Sequence, residues 1–80
     1  MRLVQIYSRP GCHLCEMAMN NLTLLQKELT FQIEEIDITV DQELVRKYGE
    51  QIPVIHIDGK PHDFFGVDPE RFKKAFIQGR

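Results

Sequence analysis

The two cysteines of this chain, Cys12 and Cys15, are separated by only two residues in the stretch SRPGCHLCE. Thiols at this spacing can form a reversible disulfide, supply two ligands to a metal ion, or serve as two small buried side chains. As a structural staple the pair would achieve little, because the stabilisation by a disulfide grows with the length of the loop that it closes. The spacing therefore favours a chemical role.

The residues around the cysteines predict that they lie at the start of a helix. An apolar run from Leu3 to Tyr7 indicates a strand, which the turn-forming sequence SRPG ends. A helix then begins at or just after Cys12, because apolar residues recur every three or four positions. This stripe comprises Cys15, Ala18, Leu22, Leu25 and Leu29.

The helix start decides how the two thiols differ. Unpaired N–H groups and the positive end of the helix dipole stabilise a thiolate, and such sites bring a cysteine pKa from about 8.5 to roughly 3.5–7.5. We therefore expect Cys12 to be the nucleophile. Cys15 lies on the core-facing stripe, so we expect it to be the shielded, resolving thiol that releases the product.

The middle of the chain predicts a second strand and a short helix. Apolar residues between Phe31 and Ile38 indicate the strand. Thr39 followed by Gln42 matches a capping box, and we expect Gly49 to end the helix in a left-handed conformation.

The last third predicts a hairpin and a final helix. The strands Val54–Ile57 and Lys60–Phe64 are joined by a turn at Asp58-Gly59, and Asp68-Pro69 begins the helix as N-cap and first residue. The order βαβαββα implies an α/β fold with one mixed four-stranded sheet and flanking helices, because a strand–helix–strand unit pairs in parallel and a tight turn pairs strands antiparallel.

The composition is that of an ordinary globular chain. Of its 80 residues 42% are hydrophobic and 28% charged, with a net charge of −2, and we expect one domain over residues 1–80. The basic residues are dispersed and no apolar run reaches signal-peptide or membrane-spanning length, so neither nucleic acid nor a membrane is expected as a partner. The predicted location is the cytoplasm, where thiols are kept reduced and a CxxC pair is catalytic or metal-binding.

Three segments resemble the glutaredoxin-like branch of the thioredoxin superfamily: YSRPGCHLC after the first strand, QIPVIHIDG in the middle, and FFGVD before the last helix. The resemblance covers nearly the whole chain. It implies a thioredoxin/glutaredoxin-like fold and a thiol–disulfide oxidoreductase that works through Cys12 and Cys15. It also implies that Pro53 is a cis-proline opposite the dithiol, and that Ile52 offers its backbone to an extended substrate segment.

The resemblance further implies residues that bind glutathione. Arg9 stands where a basic residue would meet a glutathione carboxylate, and Gly66 and Asp68 match remnants of a double-glycine and aspartate motif. Phe65 departs from the pattern, because a glycine is expected there, and its ring would crowd the tripeptide.

A second departure lies between the cysteines, where His13 and Leu14 replace the proline and tyrosine that typical glutaredoxins have. When protonated, the imidazole of His13 would stabilise the neighbouring thiolate. We therefore include His13 among the candidate site residues. The sequence fits an exposed first-turn residue without a function equally well.

The expected partners are proteins that carry disulfides or glutathionylated cysteines, and glutathione is a candidate electron donor. We expect no bound cofactor and a monomer. Two alternatives stay open. One is a zinc or iron–sulfur module that uses both cysteines with His13, His56 or His62, although structural zinc needs four placed ligands and the chain has one CxxC pair. The other is an interaction domain that keeps the fold without turnover.

Overall fold

The computed structural model describes residues 2–79, and its elements follow the predicted order βαβαββα. The sheet has the strand order β2-β1-β3-β4, in which β1 and β2 are parallel and β3 is antiparallel to both of its neighbours. The predicted fold class is thus confirmed. The elements are β1 (Arg2–Ser8), α1 (His13–Leu25), β2 (Phe31–Asp37), a 3-10 helix (Ile38–Val40), α2 (Gln42–Tyr48), β3 (Val54–Ile57), β4 (Lys60–Phe64) and α3 (Pro69–Gln78).

Two buried clusters hold the helices on the sheet. The larger one joins α1 and α3 to the strands through Val4, Ile6, Ala18, Leu22, Leu25, Phe31, Ile55, Ile57, Val67, Phe72 and Phe76. The smaller one contains Cys15, Ile38, Tyr48, Ile52 and Val54. One of the two cysteines therefore belongs to the core, in the way that the apolar stripe of α1 predicts. Among residues 2–79 no helix is long and apolar enough to cross a membrane.

The predicted capping box at Thr39 is wrong. Asp41 is the N-cap of α2, and its Oδ1 accepts a hydrogen bond from the N–H of Glu43 at 2.9 Å. Thr39 lies instead in the 3-10 helix, where its N–H and hydroxyl donate to Asp37 at 2.9 and 2.6 Å. Ile38 belongs to that 3-10 helix rather than to β2. Two aspartates, each able to bond the backbone two residues on, begin successive turns here.

Gly49 follows α2 but does not adopt the predicted left-handed conformation, since its φ is −55°. A different constraint applies to it: a Cβ at this position would overlap the carbonyl oxygen of Val45. Leu29 also lies outside its predicted helix, because α1 ends at Leu25. It still packs against the larger cluster from the turn that follows.

The predicted hairpin and the start of the last helix are confirmed. Asp58 and Gly59 have φ values of 51° and 82°, as a two-residue turn between antiparallel strands requires. The carboxylate of Asp58 accepts hydrogen bonds from the Leu3 N–H at 3.0 Å and from Arg2 Nε at 2.7 Å. These bonds lower the pKa of Asp58 and attach the hairpin to β1.

Two histidines lie on the β3–β4 hairpin, of which His56 is buried and His62 partly buried. His56 is 7% exposed and packs against Tyr7 and Tyr48, with ring centroids 4.9 and 5.9 Å away. Its pKa lies below the usual value mainly because burial disfavours the charged ring, and the positive charge of Lys47 adds to this. Burial likewise lowers the pKa of His62. Within residues 2–79 the Nε2 atoms of both rings lack a hydrogen-bond partner.

We predict that the protein loses stability as pH falls from about 7.5 to about 5. In the unfolded chain the two histidines bind protons near pH 6.5, whereas their folded pKa values are lower. Their contribution is therefore complete above pH 6.5 and is lost as pH falls toward the folded pKa, by up to about 1.4 kcal/mol per pH unit for each histidine. Urea unfolding at several pH values measures this slope.

Two matched variants test whether the pH dependence of stability comes from the buried His56 ring or from any histidine. His56→Leu should weaken the pH dependence, whereas His13→Gln should preserve it, because 82% of the His13 side chain is exposed. Equal slopes in the wild type and in His56→Leu would contradict the assignment.

Candidate active site

Cys12 lies at the junction between the loop after β1 and the start of α1. Gly11 has a φ of 76°, a left-handed conformation that glycine adopts at little cost, and it turns the chain into the helix. Cys12 is the N-cap of α1, with φ −91° and ψ 108°. Its Sγ accepts a hydrogen bond from the N–H of Cys15 at 3.2 Å. The nucleophile that the sequence predicts is thus placed at the helix start, where the backbone N–H of Cys15 points at its sulfur.

Cys12 and Cys15 are joined as a disulfide, and their Cα atoms are 5.2 Å apart. This separation falls within the range of about 4.4–6.8 Å that disulfides require. The two residues differ in exposure, because Cys15 is 3% exposed whereas Cys12 is only partly buried. An attacking molecule therefore reaches Cys12 first, and the pair can open and close without a large movement of the backbone.

The loop between α2 and β3 packs beside the dithiol. Ile52 belongs to the same buried cluster as Cys15, and Cys12 packs against that cluster. The Ile52–Pro53 peptide bond is cis, and Pro53 is fully buried. The structure therefore brings Ile52 to the dithiol, with Pro53 next to it in the chain, while the role of both residues toward a substrate stays a prediction.

A charged groove of about 290 Å³ lies along one side of the dithiol. Arg9 lines it, so the structure places this candidate residue next to both cysteines. Glu16 and Glu35 line it as well, although neither belongs to a motif that predicts this position. Strand pairing could have indicated Glu35, because the carboxyl ends of parallel strands meet at one edge of a sheet. A nearby carboxylate destabilises a thiolate and a nearby guanidinium stabilises it. The groove therefore contains charges of both kinds beside Cys12.

His13 is the first residue of α1, and its side chain points away from the core. Its Nδ1 lies 4.0 Å from Oε2 of Glu16, one turn further along the helix, and both side chains are largely exposed. The carboxylate is placed to hold the ring near the helix start when the ring is charged. The tuning of the thiolate by His13 stays a prediction.

Gly66 and Asp68 lie in the segment between β4 and α3. Asp68 is the N-cap of α3, and its Oδ1 accepts hydrogen bonds from the N–H groups of Glu70 at 3.0 Å and Arg71 at 3.4 Å. In the part of the chain that the structure describes, no hydrogen bond joins Gly66 or Asp68 to either cysteine. Asp68 is therefore confirmed as a helix cap, while its binding role is untested.

A larger groove of about 560 Å³ lies elsewhere, between α2 and the β3–β4 hairpin, and neither cysteine lines it. His56 and His62 do line it, so both are directed to a different surface from the dithiol. Among residues 2–79 no group of three or more His, Cys, Asp or Glu side chains is arranged to hold a metal ion.

Comparison with known proteins gives the class first. The fold is similar to that of a mutant thioredoxin from Halobacterium salinarum, with a TM-score of 0.70 and 18% identity over 96% of this chain and 73% of that one. A protein from Nitrosomonas europaea, solved by NMR in solution, is more similar, with a TM-score of 0.82 and 32% identity over 92% of this chain and 89% of that one. The class is therefore that of thioredoxin-like proteins.

The family follows from the sequence comparison. Residues 3–76 match the model of the glutaredoxin-like domain (DUF836). An uncharacterized protein of Mycobacterium tuberculosis is 31% identical in a 75-residue alignment that covers 88% of this chain and 77% of that protein. The chain belongs to the glutaredoxin-like domain family. Its thioredoxin-like fold, with a CxxC pair at disulfide distance, fits a redox function.

The first prediction from this geometry concerns thiol reactivity. In the reduced protein Cys12 should react with iodoacetamide well below pH 8, because the helix start stabilises its thiolate, while the buried Cys15 reacts slowly. Mass spectrometry of peptides after timed alkylation at several pH values measures both rates. Equal and slow alkylation of the two thiols would remove the basis for a nucleophilic Cys12.

The second prediction separates the two roles of Asp68. Asp68→Ala should lower the free energy of unfolding by about 1 kcal/mol, because the N-cap is lost, whereas Asp68→Asn should keep it, since asparagine caps a helix equally well. Urea unfolding measures both variants. If Asp68→Asn is as stable as the wild type but turns over glutathionylated peptide more slowly, the carboxylate has a binding role beyond the cap.

Proposed function

We propose that this protein is a thiol–disulfide oxidoreductase that reduces protein disulfides or glutathione mixed disulfides. The observation that carries the proposal is the asymmetry of the dithiol: Cys12 caps α1 and is partly accessible, while Cys15 is buried at bonding distance. A structural disulfide does not need this asymmetry. A two-step exchange does, because one thiol must meet the substrate and the other must wait.

In the first step the Cys12 thiolate attacks one sulfur of a substrate disulfide. A bond forms between Cys12 Sγ and that sulfur, the substrate S–S bond breaks, and the other substrate sulfur leaves as a thiolate that takes a proton from water. The N–H of Cys15 supports the attacking thiolate before the reaction. Arg9, at the adjacent groove, supports it by charge.

In the second step the Cys15 thiol loses its proton and attacks Cys12 Sγ. The protein disulfide forms, the mixed disulfide breaks, and the substrate leaves with its second thiol. Two electrons have passed from the protein dithiol to the substrate. Two glutathione molecules can restore the dithiol and leave as glutathione disulfide, and the reducing pool of the cytoplasm is the proposed setting.

Binding of the substrate is assigned to the residues around the dithiol. The backbone of Ile52, next to the cis bond to Pro53, is proposed to pair with an extended segment of a disulfide-bearing or glutathionylated protein. Arg9, Gly66 and Asp68 are proposed to contact the charged ends of glutathione where it is bound. The protein is proposed to act as a monomer.

The test is turnover of a glutathionylated peptide, with glutathione as reductant, by the wild type and by two variants. Cys12→Ser should reduce the rate to the uncatalysed level, because the nucleophile is lost. Cys15→Ser should retain activity on this substrate, since glutathione itself can resolve the mixed disulfide with Cys12. On a protein disulfide, Cys15→Ser should instead accumulate a trapped mixed disulfide.

Ala18→Ser serves as the matched control, because it adds a hydroxyl to the same buried stripe one turn beyond Cys15 without touching a thiol. Its activity should follow its folded fraction, measured by circular dichroism. Retention of activity by Cys12→Ser would overturn the proposed mechanism.

A further inference from the structure

Phe65, the residue after β4, adopts a backbone conformation that a bulky residue rarely takes. Its φ is 66°, in the left-handed region that glycine favours. The side chain is 52% exposed, so the conformation does not serve to bury the ring in the core. Residues held in such strained conformations cluster at binding and catalytic sites.

The neighbouring backbone fixes Phe65 from two sides. The Phe65 N–H donates to the carbonyl oxygen of Gln51 at 3.1 Å, directly before the Ile52–Pro53 bond. On the other side, Nδ2 of Asn21 in α1 donates to the carbonyl oxygen of Val67 at 3.3 Å. The segment thus bridges the two elements that form the dithiol site, the cis-proline loop and α1.

The strand register places Phe65 at the same edge of the sheet as the dithiol. Phe64 pairs with Val54, the first residue of β3, and Val54 in turn pairs with Tyr7 near the end of β1. The loop that follows β1 leads to Cys12. The chain after β4 therefore leaves the sheet at the same end as the loop that carries the nucleophile, with β3 between them.

Other apolar side chains in β4 and α1 are exposed as well. The rings of Phe64 and Phe65 meet edge to face with centroids 5.0 Å apart. Leu14 and Met17 are 47% and 50% exposed and lie on the face of α1 that Asn21 turns toward this segment, since residues three and four apart share a helix face. Phe64 also lines the groove beside the β3–β4 hairpin, so we call only Leu14, Met17 and Phe65 the apolar rim.

We propose that Phe65 is a specificity-determining residue of the dithiol site, whose exposed ring selects protein disulfides flanked by apolar side chains over glutathione mixed disulfides. This inference rests on the proposed function. Glutathione presents two carboxylates and an ammonium group, and none of these gains from contact with the apolar rim. A client segment with Leu or Phe next to its cysteine buries apolar area there, which favours binding.

The experiment compares kcat/KM for two disulfide substrates built on peptides of equal length. In the first, two copies of a peptide are joined by a disulfide between cysteines that lie between Phe and Leu. In the second, glutathione is attached to a cysteine that lies between two serines. The Phe65→Gly variant removes the ring and fits the left-handed backbone, so its melting temperature should not fall. Phe65→Ala removes the ring and keeps the strained conformation, which separates the ring from the backbone. Leu24→Ala is the control, because Leu24 is 57% exposed and stands twelve residues further along α1 than Cys12, about 18 Å away.

Both Phe65 variants should lower the ratio of kcat/KM for the apolar peptide to that for the glutathione peptide by about tenfold, mainly through KM. Leu24→Ala should leave both rates unchanged. The proposal is overturned if the ratio is the same in the wild type and in both Phe65 variants, or if Leu24→Ala lowers it equally.

A binding measurement distinguishes this inference from the proposed function. The apolar peptide with serine in place of cysteine should bind the wild type in NMR titration and bind Phe65→Gly about tenfold more weakly. Binding of this kind without any turnover would retain the role of Phe65 and reject the redox function. Turnover of both peptides at one rate, without binding of the serine peptide, would retain the redox function and reject the role of Phe65.

Discussion

The hydrogen bond from the Cys15 N–H to Cys12 Sγ, at 3.2 Å, is the interaction on which the site depends. It makes one residue both the cap of α1 and the accessible thiol, so the helix cannot begin properly without placing a sulfur among its free N–H groups. Gly11 supplies the left-handed turn that allows this entry. Because Cys15 comes three residues later, it falls on the stripe that packs against the sheet. The difference in exposure between the two thiols is thus a consequence of helical periodicity.

Strand directions explain why distant segments meet at the dithiol. The parallel pair β1 and β2 ends together at Ser8 and Asp37, and antiparallel β3 begins opposite the end of β1, where Tyr7 pairs with Val54. Antiparallel β4 then ends opposite the start of β3. One edge of the sheet therefore collects the loop of Cys12, the acidic end of β2, the cis-proline loop and Phe65. Adding or removing one residue in any strand would change which side chains reach this edge.

Much of this arrangement could be predicted from the sequence, because it follows from periodicity and turn chemistry. The order of the elements along the chain, the helix start at Cys12 and the Asp68 cap each have a local signal. The prediction was wrong at α2, because two residues there can cap a helix and Asp41, rather than Thr39, is the N-cap. Gly49 was misjudged because a tight approach to Val45, rather than a left-handed turn, requires it. Glu16 and Glu35 carried no motif, and only the folded chain brings them to one groove.

The two flanks of α1 give the dithiol two different surroundings. Glu16, together with Arg9 and Glu35, makes the groove on one flank charged, while Leu14 and Met17 make the other flank apolar. Cys15 lies between these flanks on the face that meets the core. A small charged ligand gains from one flank only, and there the two carboxylates oppose the single guanidinium. An extended peptide can contact both flanks at once, which supports the proposed preference for a protein segment as substrate.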